Sequence, residues 1–145
     1  MKVLIAGGSG FVGEALVRQF LTDGHVVSVL TRNPAKVKHG KPLLWDGRTR
    51  GDWWVDAAES DVIVNLAGEN IGEGRWTEER KRALLQSRVD ATRALVGAVR
   101  SAPPRKRTFI SASAVGFYGP RGDEILDETA TKGEGFLSDM AATLP

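Results

Sequence analysis

The chain has 145 residues, enough for one domain with a buried core but short for an enzyme that needs separate cofactor and substrate regions. Its 41% hydrophobic and 26% charged residues are those of an ordinary globular protein, and no apolar run approaches the roughly 20 residues of a membrane helix. A formal net charge of +2, with the most basic stretch limited to Arg105-Lys106-Arg107, argues against a nucleic-acid surface, and the absence of cysteine excludes disulfides and thiolate metal sites.

The first predicted element is Val3-Leu4-Ile5-Ala6, a continuous apolar run of the kind a central parallel strand shows when both its faces are buried. The apolar start is too short for a signal-peptide core and runs straight into glycines, so the cytoplasm is the default compartment. From Phe11 the residues Val12, Ala15, Leu16, Phe20 and Leu21 recur at helical spacing, and Gly24 stands where a left-handed C-terminal cap belongs. Val26 to Leu30 reads as a second strand, Asn33-Pro34 as a turn, Leu43-Leu44-Trp45 as a short third strand and Asp61 to Leu66 as a fourth.

A long helix is expected to open near Thr77, whose hydroxyl can cap the first amides while Glu78 and Glu79 complement the positive helix end. It runs to about Arg100, where Pro103 and Pro104 close it, and Thr108 to Ser113 follows as a fifth strand. A glycine-rich loop then leads to Gly135 and a last helix from Phe136. Right-handed crossovers order these strands 3-2-1-4-5, an α/β sheet wound on both faces. Because Pro145 falls barely inside the last helix, the chain is expected to be the N-terminal part of a longer protein, with a sixth strand and a substrate region following. An unpaired sheet edge leads to the further expectation that the chain alone is marginal, forming a homodimer through that edge or drawing stability from a partner.

Chemistry is concentrated at the strand ends. Gly7-Gly8-Ser9-Gly10-Phe11-Val12-Gly13 satisfies two glycine spacings, 8-10-13 and 7-10-13, directly after a buried strand and at the start of an amphipathic helix. That context lets the loop approach a pyrophosphate and aim helix amides at it, so residues 1–145 read as a Rossmann-type NAD(P)-binding domain. At the end of the second strand an NAD binder carries an acid for the ribose hydroxyls, whereas this chain has Thr31-Arg32. A guanidinium there suits the extra phosphate of NADP(H), although an arginine at a strand end is also at home simply in solvent.

Leu84, Arg88, Ala91 and Leu95 share one helix row, so Arg88 is either a charge that needs an anion such as a cofactor phosphate or one that snorkels from the rim. Asn65-Leu66-Ala67-Gly68 and Ser111-Ala112-Ser113 lie at the carboxyl ends of strands, where ligands of such sheets bind. Ser113 can hydrogen-bond a substrate oxygen there or merely satisfy backbone. His25 and His39 are isolated, so no metal site is expected, and Trp45, Trp53, Trp54 and Trp76 read as core or lid aromatics.

Together the glycine loop, Asn65-Leu66-Ala67-Gly68 and the segment Val115-Gly116-Phe117-Tyr118-Gly119 after a serine-ended strand resemble the extended short-chain dehydrogenase/reductase superfamily, which includes sugar-nucleotide epimerases. Within it, Asn65 to Ile71, Arg75-Trp76-Thr77 and Ser87-Arg88 resemble an atypical NADP-binding epimerase family, over essentially the whole chain. The resemblance implies that Gly7, Gly10, Phe11, Val12 and Gly13 carry the pyrophosphate and that Thr31 and Arg32 carry the adenosine phosphate. By the same resemblance Leu66, Ala67 and Gly68 meet the central cofactor, Arg88 adds a polar contact, and Ser113 matches the catalytic serine.

Where the superfamily has Tyr-x-x-x-Lys, this chain has Phe136-Leu137-Ser138-Asp139-Met140, which can neither exchange a proton with a substrate hydroxyl nor depress a phenol pKa. Tyr118, the sole tyrosine, is a candidate replacement acid. The expected function is an NADP(H)-dependent oxidoreductase or epimerase-like activity on a small carbonyl compound or nucleotide sugar. A non-catalytic NADP(H) sensor or scaffold is the alternative.

Overall fold

The computed structural model describes residues 1–143. In chain order it contains β1 (Lys2–Ala6), α1 (Phe11–Thr22), β2 (Val26–Thr31), β3 (Lys41–Leu44), α2 (Trp53–Glu59), β4 (Val62–Asn65), α3 (Glu78–Ser101), β5 (Thr108–Ser111) and α4 (Phe136–Thr143). The five strands are parallel and ordered β3-β2-β1-β4-β5, as the crossover rule requires. β1 lies in the middle, with Ile5 opposite Val29 of β2 and Val64 of β4.

The two-residue period of β1 divides the core. Leu4 and Ala6 face Leu30, Ile63, Trp45, Trp53 and Leu95 on the side of α2 and α3, while Val3 and Ile5 face Val27, Val29, Val64 and Val17 on the side of α1. Each fully buried Leu, Ile or Val contributes about 1.5–3 kcal/mol, which explains the absence of any polar residue between Val3 and Ala6.

Three sequence expectations need correction. β5 ends at Ser111, leaving Ser113 beyond the strand. In α1 the residue turned fully into the sheet is Val17, while Phe11, Val12 and Ala15 are exposed. The two-turn helix α2 between β3 and β4 has no counterpart among the expected elements: Trp53-Trp54-Val55 reads as strand by propensity, yet Trp53 and Ala57, four apart, are both buried and form a helical contact.

The link from β3 to α2 is held by polar groups. Asp46 accepts from the amides of Arg48 and Thr49 and from the Thr49 hydroxyl, and the Thr49 carbonyl in turn accepts from the indoles of Trp45 and Trp53. The amide of Thr49, then that of Arg48, hold the Asp46 carboxyl well below the usual carboxylate range, at about 2. A depressed carboxyl stabilises the fold above its unfolded pKa and loses that contribution as pH falls through the folded one. Asp46→Asn should therefore lower the melting temperature at neutral pH and narrow its difference from the parent between pH 4 and 2, as read by thermal unfolding at each pH.

Candidate functional site

Every segment singled out above for the cofactor lies at the carboxyl end of the sheet. β1 delivers Gly7 with φ of +79°, and the Gly10 amide donates to the Gly7 carbonyl at 3.0 Å, closing the turn. The first helical bond of α1 is Glu14 N–H to Gly10 O at 2.8 Å, and no side chain caps the helix. The amides of Phe11, Val12 and Gly13 thus stand in the first turn without intrahelical partners, an arrangement that suits an anion.

The glycines of this loop serve different ends. A Cβ on Gly13 would sit 2.3 Å from the Gly7 carbonyl oxygen and 2.6 Å from Gly8 Cα, so helix and strand close on each other only if residue 13 has no side chain. Gly10, by contrast, has φ of −84° and its added Cβ would meet nothing nearer than the Gly7 oxygen at 3.3 Å. A methyl there is tight against one carbonyl oxygen, a far smaller conflict than at Gly13, and a residue without a side chain lets a pyrophosphate approach the loop closely.

At the end of β2, Thr31 is buried and its hydroxyl bridges the amide and carbonyl of Asn33, at 3.1 and 3.2 Å. Thr31 therefore shapes the turn that presents Arg32. Arg32 is exposed and, among the described residues, has no ion pair.

The corner after β4 rests on Asn65, which the sequence places in the Asn-Leu-Ala-Gly segment without a role of its own. Asn65 is buried, donates to the Thr92 hydroxyl at 3.0 Å and accepts from the Ala67 amide at 3.1 Å, while Thr92 donates to the Arg88 carbonyl. Its backbone carbonyl accepts from Ala112 N–H at 2.9 Å, tying the corner to the segment that carries Ser113. Asn65→Ala strands Thr92 and the Ala67 amide, so it should cost about 2 kcal/mol in chemical denaturation.

Arg88 lies across Gly68, where an added Cβ would come 2.9 Å from its Cζ. The guanidinium donates to the Leu84 carbonyl at 2.9 Å and to the Glu69 carbonyl at 3.1 Å. Loss of solvent lowers the Arg88 pKa, the Arg80 charge acts the same way, and Glu69 opposes both. Arg80 pairs with the Glu69 carboxylate and donates to the Asn70 carbonyl, and Ser87 accepts from the Glu69 amide. The Gly68–Asn70 segment is thus pinned to α3 from three residues, Arg80, Ser87 and Arg88.

Ser113 is exposed and shares a shallow depression of about 370 Å³ with Ala114, Val115, Phe117 and Tyr118. Both candidate catalytic residues therefore border one depression. Tyr118 ends the 3₁₀ turn Val115–Tyr118 and packs edge-on to Phe117. α4 docks on that turn through Ser138, whose hydroxyl lies 2.7 Å from the Phe117 carbonyl and 2.8 Å from that of Gly133. Phe136 packs against Trp76 at 5.7 Å between ring centroids, with the Lys81 ammonium also 5.7 Å from its ring, whereas Met140 is buried.

With this geometry in place, the comparison with known proteins is specific. A family model described as the NAD-dependent epimerase/dehydratase family matches residues 3–137. The chain belongs to that family. An epimerase family protein of Mycobacterium leprae is 39% identical over 99% of this chain and 47% of its own length, and one of Bacillus subtilis is 35% identical over 97% and 47%. The crystal structure of human epimerase family protein SDR39U1 with NADPH superposes with a TM-score of 0.76 at 31% identity, covering all of this chain and 50% of that one. A UDP-glucose-4-epimerase from Stenotrophomonas maltophila, at 19% identity and a TM-score of 0.82, shares the fold. The chain spans about half the length of these relatives. No helix among the described residues is long and apolar enough to cross a membrane.

Proposed function

We propose that this chain is the NADP(H)-binding domain of an epimerase-like oxidoreductase acting on a small carbonyl compound or nucleotide sugar. The observation that carries the proposal is the start of α1: its first-turn amides have no side-chain cap and stand behind a glycine loop in which Gly7 takes φ of +79° and Gly13 leaves no room for a Cβ. Gly7 and Gly13 set the turn, Phe11, Val12 and Gly13 offer amides to the pyrophosphate, and Arg32 meets the ribose phosphate from a turn that Thr31 holds. Leu66, Ala67 and Gly68 line the middle of the cofactor, and Arg88 keeps that wall in place through the Glu69 carbonyl. The NADPH bound to the human relative supports the choice of cofactor.

When bound, the nicotinamide supplies the hydride chemistry. Ser113, beyond the end of β5 and facing the open depression, is positioned to hydrogen-bond a substrate oxygen, and the proton passes through Ser113, Tyr118, a water or the substrate itself. With Phe136 and Met140 at the usual tyrosine and lysine positions, turnover of simple alcohols or carbonyls is expected to fall about 10²–10⁴ below that of an enzyme with a placed acid.

The same two residues favour a second reading, a non-catalytic NADP(H) sensor. Two labelled reactions followed by mass spectrometry separate the readings: deuteride transfer from 4-deuterated NADPH to a panel of carbonyl compounds, and deuteride transfer to NADP+ from nucleotide sugars deuterated at the carbinol carbon. Label in any product that disappears in Ser113→Ala supports the enzyme, and cofactor binding with no label anywhere supports the sensor.

A further inference from the structure

We propose that Lys36 is a second cation for the ribose phosphate of NADP(H), and that Glu14 limits how much positive charge this phosphate meets. The inference rests on the cofactor assignment above. Beyond β2 the chain makes the 3₁₀ turn Pro34–Lys36, and this turn is built rather than loose: Asn33 accepts from the Ala35 amide at 3.1 Å, and Thr31 locks Asn33 from behind. Its last residue, Lys36, comes back towards the glycine loop and borders one narrow crevice with Gly8, Ser9, Glu14 and Lys38. The phosphate-binding loop of β1 and the basic turn of β2 thus share a wall.

The charges on that wall are unequal. Lys38 is engaged by Glu14 at 3.3 Å, and Glu14 is the one acid in the first turn of α1. Arg32 and Lys36 have no carboxylate partner among the described residues. Of the charged groups bordering the crevice, Lys38 is paired with Glu14 and Lys36 is not, with His39 exposed beside them. Together with Arg32 at the end of β2, Lys36 supplies positive charge for a phosphomonoester of about −1.5 to −2 at neutral pH. The free ribose hydroxyl of NAD(H) gains nothing from them. Lys36 and Glu14 therefore act on the preference between the two cofactors, with opposite signs.

The test is the ratio of NADPH to NADH affinity, measured by calorimetry on the purified protein at low salt, with 2′,5′-ADP and 5′-AMP as smaller probes of the same contrast. Taking the ratio cancels any common effect on the pyrophosphate. Lys36→Ala should lower the ratio by about three- to fivefold, the upper range for an exposed pair, and Glu14→Gln should raise it comparably. Both changes should shrink in about 1 M salt, where screening acts within roughly 3 Å. Because Lys36 is exposed, an unchanged melting temperature is expected to accompany its loss. If Lys36→Ala leaves the ratio unchanged while Arg32→Ala lowers it, the inference is wrong and the NADP(H) assignment stands. If neither changes it, both fail. A ratio that falls or stays level in Glu14→Gln overturns the role given to Glu14.

Discussion

Gly13→Ala should destabilise the whole chain, whereas Gly10→Ala should change its stability far less and weaken cofactor binding. At position 13 the new methyl meets backbone on two sides, 2.3 Å from the Gly7 oxygen and 2.6 Å from Gly8 Cα, and neither atom can turn away as a side chain would. Relief requires α1 to move off β1, which uncovers Val17 and the apolar face around Val3 and Ile5. Overpacking of this kind costs about 1–3 kcal/mol, so the melting temperature should fall by roughly 5–10 °C. At position 10 the backbone angles allow alanine, and its methyl is tight against one atom, the Gly7 oxygen at 3.3 Å, so a shift of a few tenths of an ångström relieves it. Its methyl instead occupies the approach to the Phe11, Val12 and Gly13 amides, and NADPH affinity should drop about tenfold or more through lost charge-assisted bonds. Unimpaired NADPH binding by Gly10→Ala would count against the site.

The second large effect concerns α4. Restoring the superfamily pattern in one step, with Phe136→Tyr and Met140→Lys, is expected to fail for a reason visible in the packing. Phe136 is partly exposed beside Trp76 and Lys81, so a phenol oxygen added to its ring can reach solvent. Met140 is 5% exposed, and its neighbours Ser138 and Ala141 are buried too. A lysine at 140 places an unpaired cation in that interface, at a cost of roughly 3 kcal/mol. Phe136→Tyr alone should keep the parent melting temperature, while Met140→Lys should lose several degrees in a thermal scan. Equal stability of the two would show that α4 can present residue 140 to solvent.

The sheet was legible in the chain because its signals are local. The unbroken apolar run at Val3–Ala6, the glycines after it and the capping Thr77, which does accept from the Arg80 amide at 3.2 Å, each declare an element within a few residues. α2 was not legible, because two turns that open on Trp53-Trp54-Val55 look like strand until Trp53 is seen buried against Trp45. Much of the site was hidden in the same way. Asn65 meets Thr92 from 27 residues away, and Ser138 reaches Phe117 from 21, so the roles of both depend on folding. Thr31 and Arg88 stand beside the proposed cofactor positions in the sequence, and in the fold their polar atoms also hold the Asn33 turn and the Glu69 carbonyl. Residues that shape a ligand wall and residues that touch the ligand leave the same mark in a sequence.

What most directly tests the central claim, that the β1–α1 loop holds NADP(H) with Arg32 reading the ribose phosphate, is calorimetric titration of the parent and Arg32→Ala with NADPH and NADH. The parent should bind NADPH more tightly than NADH. Losing a charge-assisted phosphate contact worth about 1.5–3 kcal/mol should weaken NADPH about tenfold or more in Arg32→Ala and leave NADH nearly unchanged. Equal losses for the two cofactors, or no preference in the parent, would contradict it.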